Sequence, residues 1–245
     1  MSSRSKARLA GLLYLVVAVT GGFAQLVARG GVLVRGDASA TAENIRANAG
    51  LLQLGFAADA VNIVAFVLLA LLLHAVLSPT SPALSRTFVT LVAIASAIMG
   101  LDLANHAAAL VVATDPSFAA SMGADAADSI AALFLNVHQY GYLAAEVFFG
   151  LWLVPLGVAI YRSGAFPRWL GIGLVVGGVA YLGSFAVTAA SPRFEAEAAT
   201  IVALPAAIAE LSLVLWLLIR GADVSARADV ATPSAQPTLT AEVAR

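Results

Sequence analysis

Apolar residues fill six long runs along the chain, and short polar segments separate them. The runs cover residues 9–28, 51–77, 84–113, 133–161, 169–189 and 199–219. Each has about the 20 residues that an α-helix needs to cross a bilayer. The runs are continuous rather than alternating, which disfavours a β-barrel. The pattern predicts an all-α, polytopic bundle of six transmembrane helices over residues 9–220.

Polar segments at both ends and between the runs complete this organisation. Residues 1–8 form a short basic N-terminus, and residues 221–245 are rich in Ala, Ser, Thr and Pro without periodicity, which is typical of a disordered tail. Asp37, Ser39 or Thr41 is a candidate cap for a helix before the second run. Residues 114–128 are polar and acidic and are expected to form a loop.

The composition supports a membrane protein and excludes several functions. Hydrophobic residues make up 61% of the chain and charged residues 11%, with a mean hydropathy of +0.93, whereas a soluble domain has about 25% charged residues. A net charge of −1 offers no basic face for nucleic acid. Because there is no cysteine, disulfides, thiolate metal sites and iron–sulfur clusters are excluded. No haem or nucleotide signature is present.

Basic residues predict how the bundle lies in the membrane. The positive-inside rule places the side with more Lys and Arg in the cytoplasm. One side collects nine of the 13 basic residues, namely Arg4, Lys6, Arg8, Arg86, Arg162, Arg168, Arg220, Arg227 and Arg245. The other side collects Arg29, Arg35, Arg46 and Arg193. Both termini are therefore expected to be cytoplasmic, with the lipid bilayer as the main partner.

Two glycines on the fifth run, Gly173 and Gly177, form a G-x-x-x-G pattern. Such a pattern lets two helix backbones approach closely. It favours packing within the chain and leaves a homo-oligomer open.

Ionisable residues inside the apolar runs are the candidate functional groups. A carboxylate at the centre of a bilayer costs about 2.5 kcal/mol or more and normally faces the bundle interior. At 1.5 Å per residue, the predicted depths are about 8–20 Å from the outer end of each span. These depths predict an outward-facing polar chamber that binds a ligand or proton, lined by Asp59, Asp102, His106, His138, Glu146 and Glu210.

Three functions fit such a chamber. The first is binding or transport of a small ligand, an ion or a proton, because ionisable groups at this depth mark such pathways. The second is a metal-dependent hydrolase acting on lipid, with His106, His138, Asp102, Glu146 and Glu210 as candidate ligands. In the third, the buried polar groups only stabilise the bundle. The sequence leaves open whether the protein is an enzyme.

Several segments resemble a family known as domain of unknown function 4386. They are AGLLYL (10–15), GDASAT (36–41), AD (58–59), HQYGY (138–142), FFG (148–150), YRSG (161–164) and PRWLG (167–171), followed by Pro205, Glu210, Leu211 and Trp216. The resemblance covers about residues 8–221 and implies six spans in a bacterial plasma membrane, but no activity. It includes acids at Asp59 and Glu210 and a histidine at His138. Asp102, His106 and Glu146 rest on the depth argument alone.

Overall fold

The computed structural model describes residues 2–190 and 195–222, and for residues 195–203 it describes the backbone alone. Over these residues the chain is helical and contains no strand. The helices are α1 (Ser3–Gly22), α2 (Ala38–Ala47), α3 (Ala49–Leu77), α4 (Pro82–Thr114), α5 (Pro116–Met122), α6 (Ala124–Ser163), α7 (Arg168–Ala190) and α8 (Glu195–Ile219). A π-helical turn, Phe23–Ala28, continues α1. The described residues do not include Arg193, Arg227 or Arg245. The tail that is predicted to be disordered also lies outside them, apart from its first two residues.

Five helices are long and apolar enough to cross a membrane, by length and composition. They are Ser3–Ala28, Ala49–Leu77, Pro82–Thr114, Ala124–Ser163 and Arg168–Ala190. The sixth predicted span falls on α8, whose apolar stretch with described side chains, Leu204–Ile219, is shorter. Large apolar side chains on the outside of the bundle are exposed, Leu26 and Leu101 each to 79%. The protein is therefore a helical, multi-pass membrane protein.

The longest helix, α6, occupies the centre of the bundle. It packs against α4 on one side and α7 on the other, while α1 packs against α3 and α8. The main core surrounds Trp152, Leu153 and Leu156 of α6, all almost completely buried. This arrangement brings the polar positions of α1, α3, α4 and α6 toward a common interior.

Glycines bring α6 and α7 into close contact. A Cβ atom on Gly157 would lie 2.6 Å from the carbonyl oxygen of Gly171, and one on Gly150 would lie 2.7 Å from that of Gly178. Real Cβ atoms essentially never approach so closely. The G-x-x-x-G glycines of α7 face α8 instead, since a Cβ on Gly177 would lie 3.1 Å from Cα of Ala206. That pattern thus serves packing within the chain.

Short helices cover one end of the bundle, which we call the α2 end. Here Asp37 caps α2 by accepting a hydrogen bond from the backbone N–H of Ala40 at 2.9 Å. A second apolar cluster joins α2 to the ends of α3, α4 and α6 through Ile45, Leu52 and Leu135.

The prediction of a loop over residues 114–128 is wrong, because most of this segment is helical in the structure. Asp115 caps α5 by accepting a hydrogen bond from the backbone N–H of Ser117, which lowers the pKa of the Asp115 carboxyl. Pro116 then occupies the first turn, where its missing N–H is tolerated. Gly123, with φ of 91°, ends α5 and allows α6 to begin at Ala124. This segment is polar and contains no long apolar run, so the hydrophobic pattern did not predict these helices.

Candidate functional site

Arg29, Asp59 and His106 form a buried polar group that joins α1, α3 and α4. Nη1 of Arg29 donates to Oδ2 of Asp59 at 2.5 Å and lies 3.3 Å from Nδ1 of His106. Nε2 of His106 lies 3.0 Å from the carbonyl oxygen of Leu52, which only accepts hydrogen bonds. His106 is therefore a neutral imidazole that carries its proton on Nε2 and accepts from Arg29 on Nδ1.

The π-helical turn explains how Arg29 reaches this group. The backbone N–H of Arg29 donates to the carbonyl of Ala24, five residues earlier, at 3.2 Å. This wider turn rotates the following residue relative to a regular α-helix. The side chain of Arg29 is consequently only 8% exposed, beside an Asp59 side chain that is 5% exposed.

Asp102 and His138 form a second hydrogen-bonded pair between α4 and α6. Nδ1 of His138 lies 2.8 Å from Oδ2 of Asp102 and 3.3 Å from its carbonyl oxygen. Both of these oxygens accept, so Nδ1 carries a proton. Nδ2 of Asn105 donates to Oδ1 of Asp102 at 3.0 Å. Gly141 makes room for this carboxylate, because a Cβ atom there would overlap it.

The two groups meet through their histidines. The rings of His106 and His138 lie edge to face, with centroids 5.4 Å apart. We call this set the ion-pair cluster: Arg29, Asp59, Asp102, His106 and His138. The structure thus brings together four of the six side chains predicted for the chamber, namely Asp59, Asp102, His106 and His138.

A cavity of about 470 Å³ adjoins the ion-pair cluster near the α2 end, and we call it the arginine cavity. Its polar lining includes Arg29, Arg35, His138, Gln139, Tyr142 and Glu146. Glu146, the fifth predicted residue, therefore faces the same space as His138. Nε and Nη2 of Arg29 and Nε2 of His138 are buried without a hydrogen-bond partner among the described residues. Arg29 and His138 thus line this cavity and carry polar atoms that no described residue satisfies.

Glu210, the sixth predicted residue, lies in a different cavity. Tyr14 donates to its Oε2 at 2.6 Å and Tyr181 to its Oε1 at 3.4 Å. The cavity has a volume of about 180 Å³ and six aromatic rings in its lining, so we call it the aromatic cavity. Asp59 of the ion-pair cluster lines this cavity as well, and Tyr142 lines both cavities.

Among the residues that the structure describes, no three His, Asp or Glu side chains stand together as metal ligands. Arg29 engages Asp59, His138 engages Asp102, and two tyrosines engage Glu210. The geometry gives the metal hypothesis no support.

Sequence reasoning missed the residues that pair with the buried acids. Arg29 was assigned to the surface because it directly follows the first apolar run, and Tyr14 and Tyr181 look like ordinary span residues. One signal was available for Arg29, since a buried carboxylate requires a cation or several hydrogen-bond donors. Gly141 had no signal at all, because its role depends on how α4 and α6 face each other.

The apolar helices and the buried ion-pair cluster define the class, which is a multi-pass helical membrane protein with a polar interior. Within this class, the chain belongs to the family described as Domain of unknown function (DUF4386), whose model matches residues 9–221. Comparisons with curated proteins and with solved structures gave no match.

Proposed function

We propose that this protein spans a bacterial plasma membrane six times, with both termini in the cytoplasm, and that it binds and transports a small anion through the arginine cavity. The ligand class is an oxyanion, a carboxylate or a phosphate. The arginine cavity opens on the outer side in this proposal, at the α2 end. Apolar helices and family membership support the membrane setting, and the lining of the cavity supports the ligand class.

The unpaired edge of Arg29 is the observation that carries the proposal. Nη1 is occupied by Asp59 and His106, whereas Nε and Nη2 have no partner among the described residues. These two groups form one edge of the guanidinium and match two oxygens of a carboxylate or phosphate. Asp59 holds the guanidinium in place, so little entropy is lost when a ligand binds.

His138 supplies a second function, proton coupling. Asp102 holds the proton on Nδ1, so Nε2 of a neutral His138 accepts hydrogen bonds. Protonation turns Nε2 into a donor and adds a positive charge to the lining. An anion therefore binds more tightly to the protonated protein, and a bound anion favours the bound proton.

Cysteine labelling tests the orientation, because the chain has no cysteine of its own. Ser121 and Thr80 are exposed and lie at opposite ends of the bundle, in α5 and between α3 and α4. A membrane-impermeant maleimide should label Ser121→Cys in intact spheroplasts and Thr80→Cys only after lysis. Labelling in the reverse order would invert the proposed topology.

Calorimetry on the purified full-length protein tests the anion site, with acetate, sulfate and inorganic phosphate as probes. Arg29→Lys keeps the charge beside Asp59 but removes the two-donor edge, so we expect at least about tenfold weaker binding. Arg46→Lys is the matched control, because Arg46 pairs with Asp128 away from the arginine cavity. Wild-type protein that binds none of the probes would refute the proposal, as would an Arg29→Lys variant that binds like the wild type.

The pH dependence tests proton coupling on the same samples. Sulfate stays ionised near neutral pH, so a change in its affinity reports on the protein. Affinity for sulfate should rise as the pH falls, because a protonated His138 adds a donor and a positive charge to the lining. His138→Phe should flatten this dependence. An equally steep dependence in that variant would assign the proton to another group, with Glu146 the first to examine.

A further inference from the structure

Glu210 is partly buried and lines the aromatic cavity, which the anion proposal does not use. All six long helices line this cavity, with Tyr14 from α1, Phe66 from α3, Met99 from α4, Trp152 from α6, Tyr181 from α7 and Glu210 from α8. A volume of about 180 Å³ is below the roughly 300–1,000 Å³ of pockets for drug-sized ligands. Only a small ligand fits.

Six aromatic rings form a connected wall around this space: Tyr14, Phe66, Tyr142, Phe149, Trp152 and Tyr181. Centroid distances are 5.9 Å from Tyr14 to Trp152, 5.0 Å from Trp152 to Phe66 and 6.0 Å from Phe66 to Phe149. Phe149 lies 5.7 Å from Tyr142 and 6.5 Å from Tyr181. Aromatic faces attract cations through their quadrupole.

Charge sets Glu210 apart from Asp59 and Asp102. Asp59 pairs with Arg29 and Asp102 with His138, but among the described residues no basic side chain pairs with Glu210. Two tyrosine hydroxyls satisfy oxygens of the carboxylate without neutralising it. A carboxylate left without a counter-charge inside a bundle is strongly unfavourable. A cation that enters the cavity would complete the pairing.

We propose that the aromatic cavity binds a small organic ammonium ion, with Glu210 as its counter-charge and the surrounding rings as its cage. Rings and one carboxylate suit a weakly hydrated organic cation, whereas metal cations such as Ca²⁺ or Mg²⁺ require a shell of oxygen ligands. Tyr14 and Tyr181 hold the carboxylate in position. Glu210 does not line the arginine cavity and Arg29 does not line this one, so a failure of one proposal can be told apart from a failure of the other.

Tetramethylammonium is the probe, and neopentyl alcohol, which has the same branched skeleton around a central carbon with one added hydroxyl, is its neutral counterpart of similar size. Trp152 is one of three tryptophans in the chain, and the others are Trp169 and Trp216. In a Trp169→Phe, Trp216→Phe variant of the full-length protein, Trp152 alone reports on the cavity. Tetramethylammonium chloride should change its fluorescence in a saturable way, whereas sodium chloride and neopentyl alcohol should not.

Glu210→Gln in the same background keeps the size of the side chain and its acceptor for tyrosine but removes the charge. We expect at least about a tenfold loss of tetramethylammonium affinity. Asp128→Asn, at the Arg46 pair outside the lining of the aromatic cavity, is the matched control and should bind as before. If Glu210→Gln fails to fold, the saturable fluorescence change in the parent variant still tests the proposal. No response to tetramethylammonium, or the same response to neopentyl alcohol, would overturn the proposal, even if sulfate still bound at Arg29.

Discussion

Asp59→Ala is expected to destabilise the protein by about 3–5 kcal/mol, the cost of breaking a buried ion pair by removing one partner. Arg29 would then keep its charge with its side chain only 8% exposed and lose its shortest hydrogen bond. The arginine would also lose the group that fixes its orientation beside His106. Reversible unfolding of the purified protein, in detergent with increasing sodium dodecyl sulfate, measures this loss.

The chain contains its own control for this substitution. Asp128 pairs with Arg46 at 2.7 Å, but the side chain of Arg46 is 44% exposed. Pairs of this kind contribute about 0–1 kcal/mol, so Asp128→Ala should cost little. A double variant, Arg29→Met with Asp59→Leu, removes both buried charges and should recover most of the lost stability. Equal losses for Asp59→Ala and Asp128→Ala would show that Arg29 and Asp59 are not a buried pair.

Hydrophobic runs predict long apolar helices, because a spanning helix must satisfy its backbone internally and present apolar side chains to lipid. Five of the described helices are long and apolar enough to span a membrane. The i, i+4 spacing of Asp102 and His106 indicates one shared helix face. In the structure these two residues enter the same ion-pair cluster, although each pairs with a different helix. Periodicity reports the face of a helix but not which neighbour that face meets.

The pairing of Arg29 shows why the partners were harder to predict. An arginine that directly follows an apolar run normally lies at the membrane surface, and the positive-inside rule treats it so. The π-helical turn at Phe23–Ala28 changes its direction and sends it into the bundle. Nothing in the spacing of apolar residues marks this single-turn change. Glu210 was likewise predicted to be buried, but its separation from Arg29 depends on how α7 and α8 pack.

Gly157→Leu is expected to separate α6 from α7 and to cost about 3 kcal/mol or more, at the upper end of overpacking effects. The reason is the contact that any Cβ at this position would make, 2.6 Å from the carbonyl oxygen of Gly171. That neighbour is backbone, so it cannot rotate away as a side chain would. Because α6 lines both cavities, sulfate and tetramethylammonium binding should be lost together.

Gly100→Leu is the matched control for this substitution. Gly100 is also a helical glycine, but it is exposed and a Cβ there would meet no heavy atom within 4 Å. Glycine is less favourable than alanine in a helix by about 0.8–1 kcal/mol, and leucine ranks just below alanine, so this variant should be as stable as the wild type or more stable. The same unfolding experiment compares the two variants. If Gly157→Leu were as stable as Gly100→Leu, α6 and α7 would not cross as closely as the structure places them.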